Sequence, residues 1–356
     1  MNHTISRLTK LLLFSALLLY AGGNHACAQE NKAKVACIAF YNLENLFDTI
    51  NDPNTNDDEF TPAGSSRWDS ERYYRKLKNL AYAISQIGDE LVKGGPVVMG
   101  FSEVENRQVV EDLIHTPPLS ERGYKIIHYD SPDKRGIDVA FIYQAKYFTV
   151  TDSKPWPLKI PGMDDFYTRD ILEIAGKLDN EPFYFLVNHW PSRSGGEKET
   201  VMKRDAAADL CLSIVKSIYK ESPDAKIVIM GDLNDDPVDE SLIKHLKTKT
   251  KIEDVQKDDL FDPMWQLYRD GVGSLAYRDR WNLFDQIIVS SALLDKAKGG
   301  YLYYKAKVFN KSFLLEKEGQ YKGYPFRTYA GGVYEGGYSD HLPVYMFLVN
   351  KMKPAP

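Results

Sequence analysis

The sequence predicts an α+β fold in which sheets pack on one another with helices on the outside. Strand-like and helix-like patterns alternate along the chain, and the strand candidates include both alternating and continuously apolar types. No linker rich in Pro or Ser and no fixed-period repeat divides the 356 residues. We therefore expect one unit over residues 29–356, preceded by a removable segment.

The elements follow in order. KVACIAFYN (residues 34–42) reads as a strand. After a loop rich in Asn and Asp, residues 71–91 place Tyr74, Leu77, Leu80, Ala81, Ile84 and Ile87 at helical spacing. PVVMGFSE (96–103) is a short buried strand, and residues 108–114 form a helix candidate. Strand patterns recur at residues 124–130, 138–143, 170–178 and 183–190. A long helix is expected over 197–219, then a strand over 226–234 and a short helix near Glu240. Residues 283–290 and 342–350 supply the last strands.

Residues 1–28 read as a signal peptide. Arg7 and Lys10 precede an apolar run from Leu11 to Leu19, and Ala26-Cys27-Ala28 supplies small residues for cleavage. That run is too short for a permanent anchor. The rival reading, a lipoprotein cysteine at Cys27 on an outer-membrane protein, is weakened by the preceding Asn24-His25. A secreted or periplasmic protein without a stable membrane anchor is expected, as a monomer. Cys37 and Cys211 remain, too few for a disulfide framework. The formal net charge is -5, and removing Arg7 and Lys10 leaves the rest at -7. That balance argues against binding nucleic acid by a broad basic field, although metal cations can supply local positive charge.

The chemistry gathers at strand ends. Asn42 ends the first strand, with Glu44 just beyond; Glu103, His189, and Asp232 with Asn234 end others. Asp285 opens the strand near 285, and Asp340-His341 precede the last one. Each is a polar group beside an apolar run, costly to bury unless paired or bound to metal. Taken singly, each is explained by strand capping or a turn. Their joint occurrence points to one shared site.

The stretches FYNLEN, GFSEVEN, VNHWPSR, IMGDLND, LFDQIIVS and GYSDHLPV occur in an order that resembles the endonuclease/exonuclease/phosphatase superfamily, with its deoxyribonuclease-I-like fold. The resemblance spans about residues 35–349. It implies a four-layered α/β/β/α sandwich of two mixed sheets flanked by helices. It also implies hydrolysis of phosphate esters with Mg2+ or Mn2+. Glu103, Asn42 and Asp340 would hold the metal, hard oxygens being what such ions prefer. By resemblance Asp232 aligns or deprotonates water, Asn234 holds the scissile phosphate, His189 stabilises its charge, and Asp285 assists a histidine or the leaving group. Whether Asp232 or His341 is the base stays open. Arg135 in RGIDVAFIY, Arg169 in FYTRDIL and Arg193 in WPSRSGGE are candidate phosphate contacts.

DPNTNDDEF (residues 52–60) looks like a calcium loop, but Asp57 occupies the position that needs glycine, so a solvated loop is expected. Tyr-rich segments with Arg and Lys, YRDRWNLF and residues 321–338, could stack on bases or a lipid headgroup, or simply pack. No Gly-x-Ser-x-Gly elbow occurs. The sequence thus reads as a secreted metal-dependent phosphodiester hydrolase, a nuclease acting on nucleic acid. Its alternatives are a sphingomyelinase-like or inositol-phosphate esterase, and an inactive binding module of the same fold.

Overall fold

The computed structural model describes residues 33–351. Two mixed sheets carry the fold. The first orders β14 (Tyr301–Val308), β17 (Val344–Lys351), β1 (Ala33–Leu46), β2 (Val98–Val104), β4 (Asp138–Gln144) and β3 (Tyr124–His128). The second orders β5 (Phe148–Trp156), β6 (Ile171–Leu178), β7 (Glu181–His189), β8 (Lys226–Asp232), β13 (Asp285–Ser290), β10 (Leu260–Phe261) and β9 (Thr248–Lys249). Two small hairpins, β11 (Leu275–Tyr277) with β12 (Arg280–Asn282) and β15 (Tyr329–Ala330) with β16 (Val333–Tyr334), stand apart. The helices are α1 (Ser70–Gln86), α2 (Arg107–His115), α3 (Glu197–Glu221) and the short α4 (Met264–Arg269).

Period-two side chains explain the layering. Along β1, Ile38 and Phe40 join Phe141, Phe185, Val228 and Met230 in the core between the sheets. Cys37, Ala39 and Tyr41 face the other way, onto Leu77, Leu80 and Ile84 of α1 and Val109 and Leu113 of α2. On the second sheet Leu186, Ile227, Ile229 and Ile288 pack under Cys211, Ile214 and Ile218 of α3. Central strands therefore bury both faces, which is why their sequences read as continuous apolar runs. Cys37 and Cys211 are buried free thiols. Gly100 brings the sheets close: a Cβ there would meet Met230 Sδ at 2.8 Å.

Several expectations change. The sequence patterns omit β5 and β14, which lie at sheet edges; both carry outward Lys and other polar residues, as edge strands do to resist pairing. Helix α1 stops at Gln86 rather than running to 91, because Gly88 adopts a left-handed φ of 75°. Tyr74 is exposed, and its neighbour Tyr73 takes the buried position. The acidic loop at 52–60 is not simply solvated: Asp57 is buried and accepts the Asp52 amide, and Phe60 stacks on Phe47. The proposed leader, with Cys27, lies outside the described residues. Among the described residues no helix is long and apolar enough to cross a membrane.

Candidate active site

Each large sheet has a parallel pair at its centre, β1 with β2 and β7 with β8. Asn42 and Glu103 lie near the carboxyl ends of the first pair, His189 and Asp232 at those of the second. The two ends meet: Asn42 Nδ2 donates to Asp232 Oδ2 at 3.0 Å across the sheet interface. Register does the rest on the second sheet. His189 sits opposite Asp232, and Asp232 opposite Asp285, so three polar side chains stand abreast on adjacent strands.

The first sheet reaches the same point by an irregularity. Pairing between β1 and β2 slips between Asn42 and Leu46, and Glu44, Asn45 and Glu103 adopt φ values of 49°, 51° and 59°. A left-handed residue inside a bulge turns the side chain out of the strand alternation. For a non-glycine it costs on the order of 1 kcal/mol, a price met where the site needs it. The Asn45 amide then donates to Glu103 Oε2 at 2.9 Å, while Oε1 lies 3.8 Å from His189 Nε2. Asn234 is likewise left-handed, φ 52°. Its amide donates to Asp232 Oδ1 at 3.0 Å and its side chain to the Trp190 carbonyl at 3.0 Å.

The segment before β17 completes the cluster. Ser339 donates to the Asn42 carbonyl at 2.7 Å and accepts the His341 amide. His341 Nδ1 is 2.6 Å from Asp285 Oδ2, and that oxygen also accepts the Ser274 hydroxyl at 2.5 Å. This leaves His341 Nε2 facing Asp232 at 3.9 Å and Asp340 at 4.0 Å. Asn42, Glu103, His189, Asp232, Asn234, Asp285, Asp340 and His341 therefore belong to one connected cluster.

Electrostatics differentiates them. Burial favours the neutral form of Asp232 and pushes its carboxyl up to about 7, against the opposing pull of His341. Burial also works against a charged His341, but Asp285, Asp340 and Asp232 outweigh it and hold the imidazole well above its usual range. His189 goes the other way: burial, with Arg169 and Arg135, keeps it neutral. Its Nδ1 is buried without a partner.

The three arginines fare differently. Arg169 is buried, with Nη1 on Asp133 and Nη2 on the Trp190 carbonyl, leaving Nε without a partner. Arg135 is half-exposed, 3.7 Å from Asp133. Both act on His189 through their charge. Arg193 has its donors committed to Asn234 O, Glu197, Asp235 and Asp239. That set makes it a clamp on the loop after β8.

One participant went unseen in the sequence. Lys76 of α1 is buried beneath the site, its ammonium 2.8 Å from Glu44 O, 2.5 Å from Thr328 Oγ1 and 3.7 Å from Glu44 Oε2. Glu44 also accepts the Thr328 amide, and burial, opposed by Lys76, raises its carboxyl to about 7. The signal was available: Lys76 lies on the same stripe as Tyr73, Leu77 and Leu80, where an unpaired charge would be costly.

The donor set suits a divalent cation. Glu44, Glu103, Asp232 and Asp340 bring carboxylates together, a concentration of hard oxygens that a cation offsets. Of these, Glu103 and Asp340 keep the most accessible oxygens. Asn42 Oδ1 already accepts the Glu44 amide at 2.9 Å. Asp232, Asp285 and His341 also lie close enough to share an ion; Asp285 is fully buried, its Oδ2 taken by His341 and Ser274 and its Oδ1 without a partner.

Comparison with known proteins identifies the family and the fold. A family model described as the Endonuclease/Exonuclease/phosphatase family matches residues 37–350. An endonuclease/exonuclease/phosphatase family protein from Bacteroides thetaiotaomicron superposes with a TM-score of 0.55 at 16% identity, covering 90% of this chain and 97% of its own. For a mannosyl-6-phosphatase of the same organism the values are 0.53 and 16%, covering 88% and 99%. A D. rerio TDP2 humanized by 14 mutations gives 0.53 at 13%, covering 88% and 98%. These likenesses show the fold. No protein of curated function matches the sequence. On the family match the chain belongs to the endonuclease/exonuclease/phosphatase family, whose members are phosphoesterases.

Proposed function

We propose that the protein is an exported, divalent-cation-dependent phosphodiesterase acting on nucleic acid. The observation that carries the reading is the meeting of Asn42 and Glu103 from one sheet with His189, Asp232, Asp285 and His341 at the other, in one largely buried cluster. Glu103 and Asp340 would hold Mg2+ or Mn2+, which when bound supplies Lewis-acid charge to the phosphoryl oxygens.

The chain's own residues do the rest. Asp232, fixed by Asn42 and the Asn234 amide, orients a water and takes its proton as the water oxygen bonds to phosphorus and the ester P–O bond breaks. Burial raises its pKa, which makes it a stronger base than a solvated carboxylate. Asp285 fixes the proton-carrying His341 with Nε2 towards the phosphate, where a charged donor stabilises developing negative charge. Neutral His189 and the Asn234 side chain add donors. Arg135 and Arg169 raise the local potential for an anionic substrate. The nucleic-acid preference is supported by the two Tyr-rich segments bordering the site: Leu275, two residues before the first, bridges His341, and Thr328 and Tyr329 of the second contact Glu44.

The test is hydrolysis by the mature protein with Mg2+ or chelator, offering plasmid DNA, RNA, sphingomyelin, inositol phosphates, a sugar phosphate and bis(p-nitrophenyl) phosphate. Cation-dependent cleavage of nucleic acid, lost by about a thousandfold in Asp232→Asn and in His341→Ala, is expected. Full activity in both variants overturns the roles. Preference for another ester moves the substrate class, and no turnover of any ester favours a binding module.

A further inference from the structure

A groove of about 890 Å³ opens beside this cluster, lined among others by Arg193, Gly195, Tyr277, Arg278, Arg280 and Phe284. Both walls are continuous with the site. On one side the β11–β12 hairpin is anchored at its base: Leu275 bridges His341, Ser274 donates to Asp285 and accepts the Leu342 amide. On the other, the loop entering α3 carries Arg193, whose Nε holds the Asn234 carbonyl at 2.8 Å. An occupant of the groove would therefore adjoin whatever sits at Asn234 and His341.

The groove is basic in a chain that is acidic overall. Three arginines face one acid, Glu197, and that acid is bound to Arg193. Arg193 is committed elsewhere, so the available charge is on the hairpin. Arg278 and Asp279 have φ values of 49° and 62°, a tight turn that sets the two flanking side chains outward. Arg278 rests on the face of Tyr277, 5.1 Å from its centroid, and Tyr277 is 60% exposed. Arg280 makes one hydrogen bond, to Tyr268, and stands 3.8 Å from Asp236. The acid between them, Asp279, does not line the groove; its carboxylate accepts the Tyr324 hydroxyl at 2.6 Å. Across the groove Gly196 begins the 25-residue α3, whose first turn carries Glu197 and Glu199, so the helix end adds no net positive charge and the basic character rests on the hairpin.

We propose that this groove receives a second phosphate of the substrate, beyond the one cleaved, with Arg278 and Arg280 supplying charge and Tyr277 a flat face for an adjoining ring. The proposal rests on the phosphoesterase reading and narrows it to substrates with two phosphates close together. A nucleic-acid strand and a bisphosphorylated small molecule share that chemistry.

The test is equilibrium binding to the mature Asp232→Asn protein in Mg2+, which separates binding from turnover. The probes are a fluorescein-labelled tetranucleotide and, as competitors, glucose 1,6-bisphosphate and glucose 6-phosphate. Adding Arg278→Gln and Arg280→Gln should weaken the tetranucleotide about tenfold and flatten its log-log salt dependence by about 0.7. Glucose 6-phosphate competition should not change. Competition by the bisphosphate well beyond that by the monophosphate, erased by the same substitutions, assigns the groove to small molecules as well. No binding of either two-phosphate probe, or equal binding with and without the two arginines, overturns the proposal. Failure of the phosphoesterase reading shows separately, as wild-type protein that cleaves no ester while the arginine-dependent binding persists.

Discussion

Lys76 offers the sharpest energetic test because its surroundings are fully specified. Its ammonium is buried with the Glu44 carbonyl and carboxylate and the Thr328 hydroxyl. Lys76→Met keeps the volume and removes the charge. Glu44 is then left buried with only the Thr328 and Tyr329 amides. Breaking a buried pair from one side costs roughly 3–5 kcal/mol when the remaining charge cannot escape. Glu44 can escape by protonation, and that gives the prediction its sign.

With Lys76 present, burial already lifts Glu44 from 4.5 to about 7. A carboxyl raised on folding favours the folded state below its unfolded pKa and loses that contribution as pH climbs through the folded one. The rise corresponds to about 3 kcal/mol at most between those limits. Without Lys76 the folded pKa climbs further, each added pH unit costing about 1.4 kcal/mol at alkaline pH. Urea unfolding in chelator should thus show Lys76→Met losing about 3–5 kcal/mol at pH 8. At pH 5 the loss should be about 1–2 kcal/mol, from the hydrogen bonds alone. Adding Glu44→Gln should recover much of the pH 8 loss. A loss below about 1 kcal/mol at pH 8, or equal losses at both pH values, refutes the buried-pair account.

Other consequences are as direct. Asp285→Asn removes the group that fixes His341 at Nδ1, and steady-state hydrolysis should fall about a hundredfold or more in kcat with its alkaline limb shifted to lower pH. An unchanged profile contradicts the assignment of charged His341. Glu103 is left-handed, so Glu103→Gly should be more stable to urea than Glu103→Ala by about 1 kcal/mol while both lose activity; equal stability means the backbone is not strained there. Gly231→Ala should cost several kcal/mol, on the order of an overpacked core, because its Cβ would lie 2.3 Å from the Asn188 carbonyl. A normal thermal melt for that variant contradicts the packing at β7 and β8.

How far the sequence disclosed this follows from what each signal depends on. Central strands such as β1, β8 and β13 are legible because burial on two faces forces continuous apolar runs. Edge strands β5 and β14 are not, since one side meets solvent and charges break the pattern. The polar members of the site are legible because Asp232, Asp285 and His341 interrupt apolar runs. Their partnership is not, because it depends on register: His189, Asp232 and Asp285 align only once three strands are paired. The left-handed Glu103 leaves no mark in residue identity, and Ser274 and Ser339 are common serines until a sheet brings them to Asp285 and Asn42. Lys76 was legible in principle, as a charge on an apolar stripe.

The reading proposed above has Glu103 and Asp340, brought from distant segments, holding a divalent cation beside Asp232. Mn2+ titration of the mature protein followed by electron paramagnetic resonance tests it without any substrate. Wild-type protein should bind Mn2+, and Glu103→Gln and Asp340→Asn should each weaken that binding by about tenfold or more, with the exposed Glu253→Gln as a control that does not. Mn2+ affinity identical in wild type and in both site variants would contradict it.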